Sequence, residues 1–161
     1  MDTRAAGQTE VNRWLDEAFI VRAVNTFFRA LDEKHFDDSY FRQILTADAR
    51  VIRPNGAATV GPANIADSLA RSFTRFEATH HILAGHDVDV DGDTAAVRAN
   101  LVAIHIWNDR PVEASMLDRS FTAGGVLTAD LRRFPDGWRI SKAETRVIWR
   151  TGFFGDMLQT R

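Results

Sequence analysis

The sequence predicts an α+β fold in which three N-terminal helices pack on a strongly curved antiparallel sheet enclosing one cavity. Three observations carry this. Up to about residue 73, apolar positions recur at three and four; from residue 78 onward they alternate with a period of two, cut by turn signals such as DGD at 91–93 and PDG at 135–137. Helices followed by a run of strands argue against alternating βαβ units. The third is the stretch Thr94 to Trp107, TAAVRANLVAIHIW, where Val97, Ala99, Leu101, Ala103 and His105 share one face of a long strand. Its small residues leave space rather than fill it, as a strand lining a cavity would.

Taken in order, residues 1–8 read as a loose N-terminus, 9–150 as a single domain and 151–161 as a C-terminal tail that packs on the sheet. Thr9 is placed to cap a helix of roughly 25 residues. Its predicted apolar face is Trp14, Leu15, Phe19, Ile20, Val24, Phe27, Phe28 and Leu31. A short second helix is expected within HFDDSYFRQIL, with Phe41, Ile44 and Leu45 inward. Strands at Ala49 to Arg53 and Ala57 to Val60 should pair as a hairpin across Pro54, Asn55 and Gly56. Pro62 opens a third helix carrying Ile65, Leu69 and Phe73. The strands then run Thr79 to Val90 with a break at Gly85, the long central strand, an ill-defined one from Val112 to Asp118, Val126 to Phe134, and Trp138 to Trp149. Ala123, Gly124 and Gly125 suggest a bulge or close approach.

Length and composition bound the function. At 161 residues with 45% hydrophobic and 26% charged side chains, the chain is one globular domain by size and composition. A formal net charge of -2 with both signs interspersed gives no footprint for nucleic acid or an anionic membrane. The absence of cysteine excludes disulfides, thiol nucleophiles and thiolate metal sites. No signal-peptide pattern and no run near ~20 apolar residues is present, and a cytoplasmic protein is expected. Eleven Phe and four Trp against one Tyr suggest apolar walls around a cavity, though a plain core would use them too.

Five places put a chemically useful group on an apolar row. His105 ends the inner row of the central strand and is either a satisfied core histidine or an acid/base group at a cavity wall. Asp32 lies four residues beyond Phe28, at the edge of the first helix's apolar face. A carboxylate in the last turn opposes the helix dipole, so either another group holds it or it is a surface residue in the turn. In ATHHIL, alternation leaves open whether His81 or His80 faces inward. Thr128 and Asp130 share a face with Val126, and Lys142, Glu144 and Arg146 share one with Trp138 and Ile140.

Order and spacing together resemble the nuclear transport factor 2-like (NTF2-like) superfamily, in its SnoaL-like branch that includes scytalone dehydratase. The matching stretches are LDEKHF at 31–36, THHILAG at 79–85, HDVDVDGDTA at 86–95, LVAIHIW at 101–107, LTADL at 127–131 and DGWRISKAETRVIW at 136–149. The resemblance implies a cone-shaped fold and a catalytic Asp32, His81 and His105. It also implies substrate contacts at Thr128, Asp130 and Arg146, with Arg53 and Phe28 further candidates for contact. The dehydratase's two water-holding tyrosines are matched by Leu31 and Arg53, so that clamp is absent and scytalone is not the expected substrate. What remains is His/Asp acid–base chemistry on a hydrophobic cyclic carbonyl compound, as a dehydratase-like lyase or an isomerase, with no cofactor and no metal. The same superfamily supplies non-catalytic ligand-binding domains and small subunits of dioxygenases, which is the competing expectation. It further implies a homodimer or homotrimer, formed through an outer sheet face carrying Val102, Ile104 and Ile106.

Overall fold

The first helix, α1 (Thr3–Asp32), sets the frame. It starts at Thr3 rather than at Thr9. The computed structural model describes residues 3–111 and 113–155, with side chains from residue 7 onward, so residues 1 and 2 of the expected loose terminus and residues 156–161 of the tail lie outside the described residues. Only the second half of the helix buries its apolar face: Ile20, Val24, Phe27, Phe28 and Leu31 are in the core, whereas Trp14, Leu15 and Phe19 are 59%, 50% and 53% exposed. In the first half the attachment to the sheet is polar instead. Asp16 accepts two hydrogen bonds from Arg133, at 2.6 and 2.8 Å, and one from the Trp138 indole at 3.1 Å.

After Asp32 the chain stops helically in a defined way. Lys34 takes a positive φ of 54°, the His35 N–H bonds back to the Ala30 carbonyl at 2.8 Å, and the Lys34 N–H bonds to Leu31 at 3.2 Å. The Lys34 ammonium then donates to the Phe76 carbonyl at 2.6 Å, fastening the end of α1 to the first residue of a strand. A short helix α2 (Asp38–Ile44) follows, capped by the Asp37 side chain accepting from the Tyr40 N–H, and leads directly into β1 (Leu45–Ile52). The hairpin partner β2 (Ala58–Val60) pairs antiparallel with β1 as expected. Helix α3 (Pro62–Phe73) buries Ile65, Leu69 and Phe73.

The remaining strands are β3 (Phe76–Asp91), β4 (Thr94–Trp107), β5 (Ser120–Phe134) and β6 (Gly137–Gly152). Between β4 and β5, residues 116–119 form one helical turn, α4 (Met116–Arg119), where a strand was expected; Val112, its expected start, lies outside the described residues. A Ser-x-x-Asp capping pattern explains the turn, because the Ser115 hydroxyl donates to the Asp118 carboxylate and accepts from its N–H. The six strands lie in the order β2-β1-β6-β5-β4-β3. The sheet is mixed rather than antiparallel throughout, since β1 runs parallel to β6. The long route from β1 through α3 and the β3–β5 meander brings β6 back beside β1 in the same direction.

Residues of β1, β3, β4, β5 and β6, together with α1 and α3, line one cavity, which a flat sheet could not provide. Bulges supply local bending. One lies at Gly85, with φ 62°, where Ala84 pairs with Asn100 but Asp87 with Arg98. On β6, Ile140 faces Leu131 and Lys142 faces Asp130, leaving Ser141 as the extra residue; Ile148 is the extra residue between the Gly125–Val147 and Gly124–Trp149 pairs. At Gly125 the backbones approach so closely that a Cβ would run into the Arg146 carbonyl oxygen. Gly125→Ala is therefore expected to destabilise the fold by about 1–3 kcal/mol or more, read as a lowered urea midpoint; an unchanged midpoint would show that the bulge has slack.

Candidate active site

The end of α1 and the middle of β3 meet at one carboxylate. Asp32 accepts from the Thr79 hydroxyl at 2.9 Å and from the His81 backbone N–H at 2.8 Å, and its Oδ1 lies 2.6 Å from His81 Nδ1. Burial opposes the charge on Asp32. The His81 ring, the His81 N–H, the ring's charge and the Thr79 hydroxyl outweigh it and hold the carboxyl below the usual carboxylate range. An ionised carboxylate can only accept, so His81 Nδ1 carries the hydrogen in this pair and Nε2 is left as the ring's basic nitrogen. His81, rather than His80, is the inward residue: its side chain is 5% exposed, against 19% for Asp32.

The layers of the inner sheet face explain why the cavity exists beside this pair. Strand pairing sets His81, Ala103, Ala123 and Arg150 in one row across four strands, with Leu83, Leu101, Gly125 and Val147 in the next. Two alanines and a glycine at the centre leave a cavity of about 380 Å³. Thr79, His105 and Phe121 form the third row, so His105 is a neighbour of His81 on the adjacent strand, the two rings meeting edge to face at 5.5 Å. Phe28 closes the other side of His81 at 5.3 Å.

His105 is not equivalent to His81. It stacks on Phe121 at 4.3 Å and 10°, packs on Phe76 at 4.7 Å, and its Nδ1 is buried without a hydrogen-bond partner. Burial in this aromatic box, reinforced by the charge of His81, pushes its pKa down to about 3. It is neutral at physiological pH and so cannot serve there as a protonated acid in the empty site.

The other expected site residues divide by strand face. Arg53 and Phe28 line the cavity; Arg53 Nη1 donates to Ser72 Oγ at 2.7 Å and Nη2 to Ser68 Oγ at 2.6 Å. Thr128, Asp130 and Arg146 do not reach it. Leu127, Ala129 and Leu131 take the inner positions of β5, which leaves Thr128 and Asp130 exposed on the outer face. On β6 the Ser141 bulge separates Lys142, Glu144 and Arg146 from Trp138 and Ile140, and puts Ala143, Thr145 and Val147 inside. Sequence reasoning did not single out Thr79, Lys34, Phe121, Arg75 or Arg150. Thr79 alone had a signal, being two residues before His81 and so on its face. Among the described residues no group of three or more His, Cys, Asp or Glu is placed to hold a metal ion.

Comparisons with known proteins bear on the family and the fold. A family model described as a SnoaL-like domain matches residues 12–144. An uncharacterised protein of Mycobacterium tuberculosis is 29% identical over 135 residues, covering 83% of this chain and 86% of that one. A scytalone dehydratase-like protein of Novosphingobium aromaticivorans superposes with a TM-score of 0.75 at 20% identity, over 91% of this chain and 93% of its own. A hexachlorocyclohexane dehydrochlorinase of Novosphingobium barchaimii does so with a TM-score of 0.73 at 18% identity, over 91% and 95%. At these identities the structural likeness establishes the NTF2-like fold.

The depressed His105 pKa has a consequence for stability. The fold favours the neutral ring, so this contribution is complete above the unfolded value of ~6.5 and is lost as pH falls towards about 3. Wild-type stability should fall across that window by up to about 1.4 kcal/mol per pH unit. His105→Phe should make this limb shallower, leaving the share of His86, whose pKa burial also lowers, and the Asp32 contribution, which is lost only below the usual carboxylate range. Urea midpoints measured at about pH 7 and about pH 5 for both proteins check it, and parallel losses would contradict the assignment.

Proposed function

Because the chain belongs to the SnoaL-like domain family, we propose that it is a lyase or isomerase that works by His/Asp acid–base chemistry, without a cofactor, on a hydrophobic cyclic carbonyl compound. The observation that carries this reading is the Asp32–His81 pair on the wall of an open cavity. Asp32 fixes the tautomer and orientation of the ring, and His81 Nε2 takes a proton from the carbon beside the carbonyl. The electron pair left on carbon moves to the carbonyl oxygen as an enolate, which neutral His105 stabilises by hydrogen bonding. Protonated His81 then returns its proton. Delivered to a β-hydroxyl, it releases water and leaves a carbon–carbon double bond; where the substrate is a β,γ-unsaturated carbonyl and the anion is a dienolate, delivery to its γ-carbon moves the double bond and completes an isomerisation.

The alternative is a non-catalytic ligand-binding domain or a structural subunit. Neither needs an ionised carboxylate held by three donors behind an imidazole that lines an open cavity. The proposal includes a homodimer or homotrimer assembled through the outer sheet face. There Ile82, Val102, Gly124 and Trp149 lie in one row across four strands, with Ile82 47% and Trp149 49% exposed. Sedimentation should give a dimer or trimer at micromolar concentration, and a monomer alone would remove this part.

Proton abstraction can be tested without the natural substrate. In heavy water the protein should catalyse deuterium exchange at the carbons beside the carbonyl of β-tetralone, followed by NMR. Asp32→Asn and His81→Ala should each lower the catalysed rate by ~10² to 10⁴-fold. Exchange no faster than buffer, or undiminished in His81→Ala, would sink the proposal. Asp32→Asn keeps the shape of the side chain, which separates loss of the carboxylate that orients the base from loss of the fold.

A further inference from the structure

Arg53 is a buried-facing cation without an anionic partner in the structure. It makes no ion pair among the described residues; its two terminal nitrogens are held by the hydroxyls of Ser68 and Ser72, one helical turn apart on α3. The Ser72 hydroxyl is itself oriented by donating to the Ser68 carbonyl at 3.0 Å. Hydroxyls orient a guanidinium but do not neutralise it, and burial together with Arg71 and Arg75 already works against its charge. The guanidinium fork nevertheless stays charged and has donors to spare. Arg75 and Arg150 also line the cavity, and among the described residues no aspartate or glutamate does; Asp32 stands behind His81. Most of the remaining wall is apolar, formed by residues such as Phe28, Leu69, Phe73 and Leu101.

We infer that the ligand of this cavity is an amphipathic anion, an apolar ring system bearing a carboxylate, and that Arg53, pre-set by Ser68 and Ser72, receives that carboxylate in bidentate fashion. The inference rests on the cavity being the substrate site proposed above and adds the class of substrate. A fixed fork matches a carboxylate better than a point charge does, and the surrounding low-dielectric wall strengthens the pair. The two functions fall to different elements: Arg53, the residue after β1, is held by α3 and receives the anion, while Asp32 on α1 and His81 on β3 act on carbon. Arg53 is thus a specificity residue rather than a catalytic one.

Calorimetric titration with matched pairs tests this, naphthoate against naphthamide and phenylacetate against phenylacetamide. Wild-type protein should bind the carboxylate of at least one pair about tenfold or more tighter than its amide, a preference that shrinks with added salt. Arg53→Gln should abolish the preference, and Arg53→Lys, which keeps the charge but loses the fork, should keep only part of it. Thermal melts confirm that each variant is folded, and the lysine variant serves if the glutamine one is not. Asp32→Asn should retain the carboxylate preference while losing exchange activity, so failure of the acid–base reading and failure of this one give different results. No carboxylate preference in either pair, or one that persists in Arg53→Gln, would overturn the inference.

Discussion

The carboxylate of Asp32 sits where the helix dipole disfavours it, in the last turn of α1, and the arrangement of helix on sheet depends on how that is offset. The unfavourable dipole is worth about 0.3–1 kcal/mol, whereas each hydrogen bond to a charged group contributes about 1.5–3 kcal/mol. Three donors from β3 converge on the carboxylate, so the pairing wins and ties the helix end to the strand. The Lys34 ammonium on the Phe76 carbonyl sets the distance between the two elements, and the left-handed turn at Lys34 lets the chain leave without disturbing it. The same contacts that fix the helix therefore fix the imidazole.

Two histidines 5.5 Å apart are made chemically different by their neighbours alone. His81 has a carboxylate at one nitrogen; His105 has aromatic rings on both sides and a buried Nδ1 with no partner. The first is supported as a base and the second is kept neutral by desolvation. That division avoids placing two positive rings edge to face, which would cost the site its most useful charge state.

Much of this is legible in the sequence, and each part that is not has its own physical origin. The inner row of β4 reads correctly because that strand pairs with β5 without interruption, so a period of two holds from Val97 to His105. Asp32 and His105 could be singled out because each breaks an apolar pattern at a specific place. Alternation puts Arg146 on the face of Trp138 and Ile140, whereas Ser141 is an extra residue, and a bulge reverses the relation between residue number and face without altering composition. Thr128 and Asp130 were drawn inward by resemblance, although the apolar residues beside them, Leu127 and Ala129, already claimed the inner positions. In α1, spacing alone could not show that the face bearing Trp14 and Phe19 extends beyond the core, because helical periodicity continues whether or not anything packs on it.

The cavity floor is built by omission: Ala103, Ala123 and Gly125 sit at the centre of rows whose ends carry large side chains. Space obtained in this way is held in side chains rather than in the path of the backbone, so its shape can be redrawn residue by residue. At the alanines, an added methyl or two would narrow the space while burying more apolar surface, so selection for a smaller ligand and selection for stability would point the same way. Widening has to come from the large side chains of the inner rows, such as Leu101 and Phe121, which are also core residues. A lineage starting from this arrangement can therefore drift easily towards smaller ligands, and reaches larger ones only by giving up packing that holds the fold.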